Sequence, residues 1–367
     1  MASTLLKDGY TAEYIENLAE LVHEQDPFFN RERFITNIFC DNWKKKPLKE
    51  RMQHIACCLR LSLPDNYRDC IEVLKPVAQA IGGGAQGDLL SMYFPEFVSL
   101  FGIKNYKTSI KALEWFTQYS SSEFAIRAFL IQYPEKTLIQ MQKWAEHKNY
   151  HVRRLASEGC RPRLPWGVAL AEFKKDPAPI LPILEKLKAD DSLYVRRSVA
   201  NNLNDISKDH PKLVLSLAEQ WFQDESNDIR WVVKHGCRTL LKTPEPRALE
   251  LFGYSGTQHV SLKAWKADKS VAVGDNFSFA CRLEANQPVN LGKLRLEYAI
   301  HFLRANQSWS KKVFKISEGD VNERHKSVQK SHSFKLLTTR KYYPGKHKLQ
   351  LLVNGKVFKE AEFDLIN

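Results

Sequence analysis

Residues 149–159 read NYHVRRLASEG, and residues 192–203 read SLYVRRSVANNL. Each holds a β-branched residue, Val152 or Val195, followed by two arginines and then small or apolar residues three and four positions on. The same order recurs on either side, in SSEFAIRAFLIQY (121–133) and SNDIRWVVKHGCRTL (226–240), with anchors Ile126 and Ile229 and arginines Arg127 and Arg230. Apolar residues at this spacing form one stripe along a helix. Asn149, Ser192 and Ser226 stand three residues before their anchors, where an N-cap side chain belongs. EKTLIQMQKWAEH and PKLVLSLAEQWFQ supply second helices between them. The anchors lie 26, 43 and 34 residues apart, which predicts an irregular HEAT-like array of helix pairs: an all-α solenoid with one concave face.

Helical spacing also fills the N-terminal part, as in YIENLAELVHEQ and PLKERMQHIACCLRLSL, so residues 1–255 are expected to form one helical repeat domain. Near FGYSG (252–256) the period changes to two. HVSLKAW, FSFACRLEA, LRLEYAIHFL, KKVFKIS, HSFKLL, HKLQLLVNG and KVFKEAEFDL predict seven short strands, separated by VGDN, NQP, SEGD, YPGK and NGK. Residues 256–367 are therefore expected to be an all-β immunoglobulin-like sandwich.

Composition narrows the function classes. The chain has 367 residues, 43% of them hydrophobic and 26% charged, which suits two globular domains and excludes a disordered chain. The N-terminal segment turns polar within ten residues and no run is apolar enough to span a bilayer, so a cytoplasmic protein is expected. Seven cysteines without a CxxC pair predict buried reduced thiols and no metal site. Of the net charge of +13, +10 lies in residues 256–367, which hold 20 Lys and Arg against 10 Asp and Glu. That asymmetry points to a polyanion, nucleic acid before membrane. Lys311–Lys312, Arg340–Lys341 and Lys346/Lys348 are the clusters expected at phosphates, near turns. Gly82–Gly83–Gly84 lacks the following GK[ST] of a phosphate loop and reads as a turn. His147 and His151 read as a solvated pair, and no hydrolase or kinase signature occurs.

Residues 149–166, NYHVRRLASEGCRPRLPW, break the repeat. Gly159 ends a helix, and a short loop with Arg161, Arg163 and two prolines follows, ending in Trp166. Acidic candidates flank it: Glu123, which opens its helix, Glu158 and Asp205. Carboxylates beside arginines on a DNA-facing wall invite catalysis, since an acid there otherwise weakens binding. The repeated arginines Arg153, Arg196 and Arg230 suit a second role equally, as bridges between neighbouring repeats.

SSEFAIRAFL, HVRRLASEGCRPRLPW and VRRSVANNLNDISKDHP resemble the AlkC branch of the HEAT-like-repeat alkylpurine DNA glycosylases, over most of residues 1–255. The β region is similar to the immunoglobulin-like module of one subgroup. The resemblance implies excision of N3-methyladenine and N3-methylcytosine from duplex DNA without base flipping, by a cofactor-free monomer. Glu123, Glu158, Asp205 and Trp166 would then face the lesion, with Arg127, Arg153, Arg154, Arg161, Arg163, Arg196, Arg197 and Arg230 on phosphates. The fold alone favours a non-catalytic scaffold binding DNA or protein, whereas the Glu158-to-Trp166 insertion favours the glycosylase.

Overall fold

The computed structural model describes residues 6–82, 89–243, 245–254, 256–336 and 341–367. Gly83, Gly84 and Arg340 lie outside the described residues. The chain divides into two compact units, residues 1–210 with 220–236, and residues 211–219 with 237–367. The change from helix to strand falls between the helix Pro246–Leu251 and the strand beginning at Val260.

The described residues of the first unit form helices and no strand. The four anchors, Ile126, Val152, Val195 and Ile229, are all buried, as are Phe129, Leu155, Val199 and Val233 three and four positions on. Each such side chain contributes about 1.5–3 kcal/mol when taken out of water. Asn149 caps the helix Tyr150–Gly159 by accepting from His151 N at 2.8 Å. Ser192 stands at the cap of Leu193–Ile206 but makes no side-chain capping bond. Two polar links tie these helices together: Ser157 Oγ donates to Ser198 Oγ at 2.6 Å, and Asn202 Nδ2 donates to Ser157 O at 2.9 Å. Leu193–Ile206 packs in turn on Asn227–Gly236.

Gly159 stands at its position for a reason other than ending the helix. It is the last helical residue, and a Cβ there would meet Ile126 Cγ2 at 2.6 Å. The glycine permits close approach of the preceding repeat. His151 is buried against Tyr150 and Tyr194 rather than solvated, and burial pushes its imidazole down. The cysteines are free thiols, mostly buried, with Cys57 exposed against expectation.

The described residues of the second unit hold eight strands: β1 (Val260–Ala267), β2 (Ser270–Ala272), β3 (Asn276–Ala285), β4 (Gly292–Leu303), β5 (Trp309–Val321), β6 (His325–Ser333), β7 (Gly345–Val353) and β8 (Lys356–Ile366). They form a three-stranded sheet, β1-β3-β6, and a five-stranded sheet, β2-β8-β7-β4-β5. Six of the expected strands are found. The seventh, HSFKLL, is not: of its described residues only His332 and Ser333 belong to a strand, Leu337 lies outside the described residues, and β6 is the polar run HKSVQKSHS. Its inward positions include Val328 and His332, and Tyr298 Oη lies 2.9 Å from His332 Nδ1, so a histidine occupies a place where the pattern calls for an apolar residue. SEGD is part of β5 and not a turn. The core has an aliphatic cluster around Leu283, Leu296 and Leu351 and an aromatic one around Phe277, Phe302 and Phe334. His347 lies buried against Phe334 and Phe363, and that burial pushes its imidazole down.

Candidate active site

The residues singled out between 121 and 209 fall into three groups. The first is a chain of alternating charges. Glu123, in the turn before the helix Ile126–Gln132, accepts from Ser121 Oγ at 2.8 Å and from Arg154 Nη1 at 2.5 Å. It does not open the helix. Arg154 also reaches Glu158 at 3.6 Å and lies over the Tyr194 ring. Glu158 accepts from Arg161 Nη1 at 2.6 Å, and Arg161 Nε donates to Asp205 Oδ2 at 2.9 Å. Lys208 Nζ completes the chain on Asp205 Oδ1 at 3.1 Å. Glu158 and Asp205 are only 5% and 2% exposed. Burial alone would push Arg154 and Arg161 down, but the carboxylates around each outweigh it and push both up. Helix geometry explains the meeting. The Ser157–Ser198 and Asn202–Ser157 links set one helix against the next, so the last turn of each projects its acid toward Arg161.

The second group is the loop after Gly159. Trp166 is 66% exposed and has φ = 63°, the left-handed region. For an L-residue with a large side chain this costs about 1–2 kcal/mol, and such strain concentrates at functional sites. Among the described residues the other two non-glycine residues with positive φ, Gln307 and Asn354, sit in hairpin turns. The indole is therefore presented outward and is not ordinary interhelix packing. A small crevice lined by Lys49, Met52, Met92, Glu96, Ser121 and Phe124 has a volume of about 10 Å³, room for one water.

The third group is the arginines expected on phosphates, and here the structure corrects the reading. Arg127 is 1% exposed and donates to Gly159 O, Arg161 O and Val168 O, at 2.9, 2.8 and 2.5 Å. Burial pushes it down to about 10. It has no route to a phosphate. Arg153 grips Asp190 through two bonds and donates to His147 O, six residues back. Arg196 donates to Asp190 O, again six back, and pairs with Asp228 at 2.8 Å. Arg230 donates to Asp224 O, also six back, and stays exposed. Arg153 and Arg196 are thus bridges between repeats. Arg154 and Arg161 face carboxylates. Arg163 pairs with Asp209 at the surface, pushing that carboxyl down, and Arg197 is exposed. In the second unit Lys311 and Lys312 are exposed on the edge strand β5, within the strand and not at a turn. Lys341 is exposed, its Nζ 5.5 Å from the Tyr343 ring centre.

One residue was not foreseen. Lys49, on the helix Leu48–Ser62, donates from Nζ to Trp166 O at 2.7 Å and lies over the Phe124 ring. Nothing in its local sequence, PLKERMQ, marks it, because its partner is 117 residues away.

Comparison with known proteins agrees with this architecture. Residues 89–240 match the family model described as DNA alkylation repair enzyme, and residues 261–367 match that of the C-terminal Ig-like domain of YhaZ. The chain is 43% identical over 362 residues to the uncharacterized protein YhaZ of Bacillus subtilis, covering 98% of this chain and 99% of that one. It superposes with a TM-score of 0.93 and 35% identity on a solved structure of the Pseudomonas fluorescens alkylpurine DNA glycosylase AlkC, bound to DNA containing an abasic site analog. That match covers 99% of this chain and 100% of the other. With a repair-enzyme region and an Ig-like domain in one chain, and a match to AlkC over 99% of its length, the protein belongs to the AlkC-type family of DNA alkylation repair enzymes.

Proposed function

We propose that this chain is a monofunctional DNA glycosylase that hydrolyses the N-glycosidic bond of cationic alkylated bases, N3-methyladenine and N3-methylcytosine, in duplex DNA. It acts as a cytoplasmic monomer on the nucleoid, without cofactor or metal. One observation carries the reading: Glu158 and Asp205, from different helices, meet on Arg161 at the base of a loop that presents a strained, exposed indole.

The chemistry follows from the charge of the lesion. An N3-alkylated base is already positive, so it departs with the bonding electron pair and becomes neutral, without a general acid. The sugar left behind has oxocarbenium character. Carboxylates stabilise that cation and accept a proton from the water that adds at C1′, by the logic of glycoside hydrolysis. The Trp166 face attracts the cationic nucleotide. The exposed position of Trp166 suits contact with a nucleotide that stays within the duplex, so catalysis proceeds without base flipping. Purified protein is expected to release free N3-methyladenine from alkylated duplex DNA and to leave a matched uracil duplex at background. Equal release of uracil overturns the substrate assignment. No release at all overturns the enzyme in favour of a DNA-binding scaffold.

The basic Ig-like unit has a proposed part in affinity, through Lys311, Lys312 and Lys341, with Arg340 beside them in sequence. Long cations at exposed positions suit backbone phosphates. Replacing Lys311 and Lys312 with serine is expected to lower the slope of log affinity against log salt by about 1.8, as two fewer counterion sites are vacated. An unchanged slope removes these two lysines from the interface.

A further inference from the structure

We infer that Lys49 and Arg127 are positioning residues that hold the Trp166 loop in its left-handed conformation from two sides. The inference rests on the reading of Trp166 as the group that meets the lesion.

Four carbonyls define the path of this loop, and two cations hold all four. Arg127 takes Gly159 O and Arg161 O with one nitrogen, and Val168 O with another. It thereby ties the entry of the loop to its exit. Lys49 takes Trp166 O, which fixes the peptide plane that follows the indole. The turn itself is closed by Gly167 N donating to Leu164 O at 3.1 Å, and Leu170 N donating to Pro162 O at 3.2 Å. Gly167 leaves room for this arrangement: a Cβ there would lie 3.3 Å from Arg127 Nε. Left-handed backbone at a tryptophan persists only where its surroundings over-determine it. These contacts are that over-determination.

Arg127 also departs from its repeat. Arg153, Arg196 and Arg230 each donate to the carbonyl six residues before them. Arg127 turns its guanidinium to the loop, although it occupies the same position after its anchor. Lys49 lies outside residues 89–240, which match the DNA alkylation repair enzyme model, so an N-terminal helix contributes to the support of this loop.

The test uses the full-length protein. Lys49→Met removes a surface ammonium and is expected to leave the melting temperature unchanged. It should slow single-turnover release of N3-methyladenine about tenfold, as a small misplacement of a reacting group does. Lys49→Arg should restore most of the rate. In a Trp166→Ala background Lys49→Met should cost nothing more, because its effect passes through the indole. Chymotryptic cleavage after Trp166 should become several-fold faster in Lys49→Met, and faster still in Arg127→Lys. Additive losses in the double variant, a reduced salt slope for DNA binding, or unchanged cleavage at Trp166 would each overturn the inference. If the wild-type protein releases no base, the glycosylase reading fails by itself, and the proteolysis comparison still decides the positioning role.

Discussion

Glu158→Gln and Asp205→Asn are each expected to slow single-turnover base release by about 10²–10³-fold while the duplex remains bound, a loss typical for removing one preorganised electrostatic group. Both substitutions keep the side-chain shape and one acceptor oxygen. What they remove is the charge proposed to stabilise the sugar cation. Arg161 keeps one carboxylate partner in either variant, so the loop stays anchored. Affinity should hold or rise slightly, since losing a negative charge near phosphates cannot weaken the general attraction. Single-turnover rates on N3-methyladenine duplexes, with filter or anisotropy binding alongside, separate the two quantities. Wild-type rates in both variants would remove the acidic wall from the chemistry.

Arg161→Met is expected to be the most damaging single change to the helical unit, costing about 3–5 kcal/mol of stability. Glu158 and Asp205 are buried and share this guanidinium, with Arg154 at 3.6 Å from Glu158 and Lys208 on the far oxygen of Asp205. Removing Arg161 leaves two buried acids facing each other across the space it filled. Arg161→Lys should fall between, because one ammonium cannot offer the fork that meets both partners. The loss is read in the urea or thermal transition of the helical unit. A change below about 1 kcal/mol, the level of a surface pair, would mean that the network is solvated and the burial argument fails.

Much of this molecule was legible in its sequence, for identifiable reasons. The anchors Ile126, Val152, Val195 and Ile229 are all buried because helical period depends on local geometry alone. Trp166 stood out because a loop with two prolines interrupted that period, and it proves to be the strained, exposed residue of the helical unit. β6 was missed because HKSVQKSHS carries no run of apolar residues, and its register comes from pairing with β3.

The arginines divide what sequence and tertiary structure each decide. The spacing showed that Arg127, Arg153, Arg196 and Arg230 follow equivalent anchors, but Asp190 and Asp228, the partners of Arg153 and Arg196, were not among the acids it singled out. Glu158 lies three residues before Arg161, but Glu123, Asp190 and Asp205 lie 31, 37 and 44 residues from Arg154, Arg153 and Arg161 and become neighbours only when helices pack. Packing commits Arg153 to Asp190 and brings Asp205 to Arg161, while burial turns Arg127 inward to three carbonyls. Lys49 is the extreme case, with a partner 117 residues distant. Period fixes which face of a helix is covered and which side chains it offers; what they touch depends on the neighbouring helix, and only packing brings that neighbour into place.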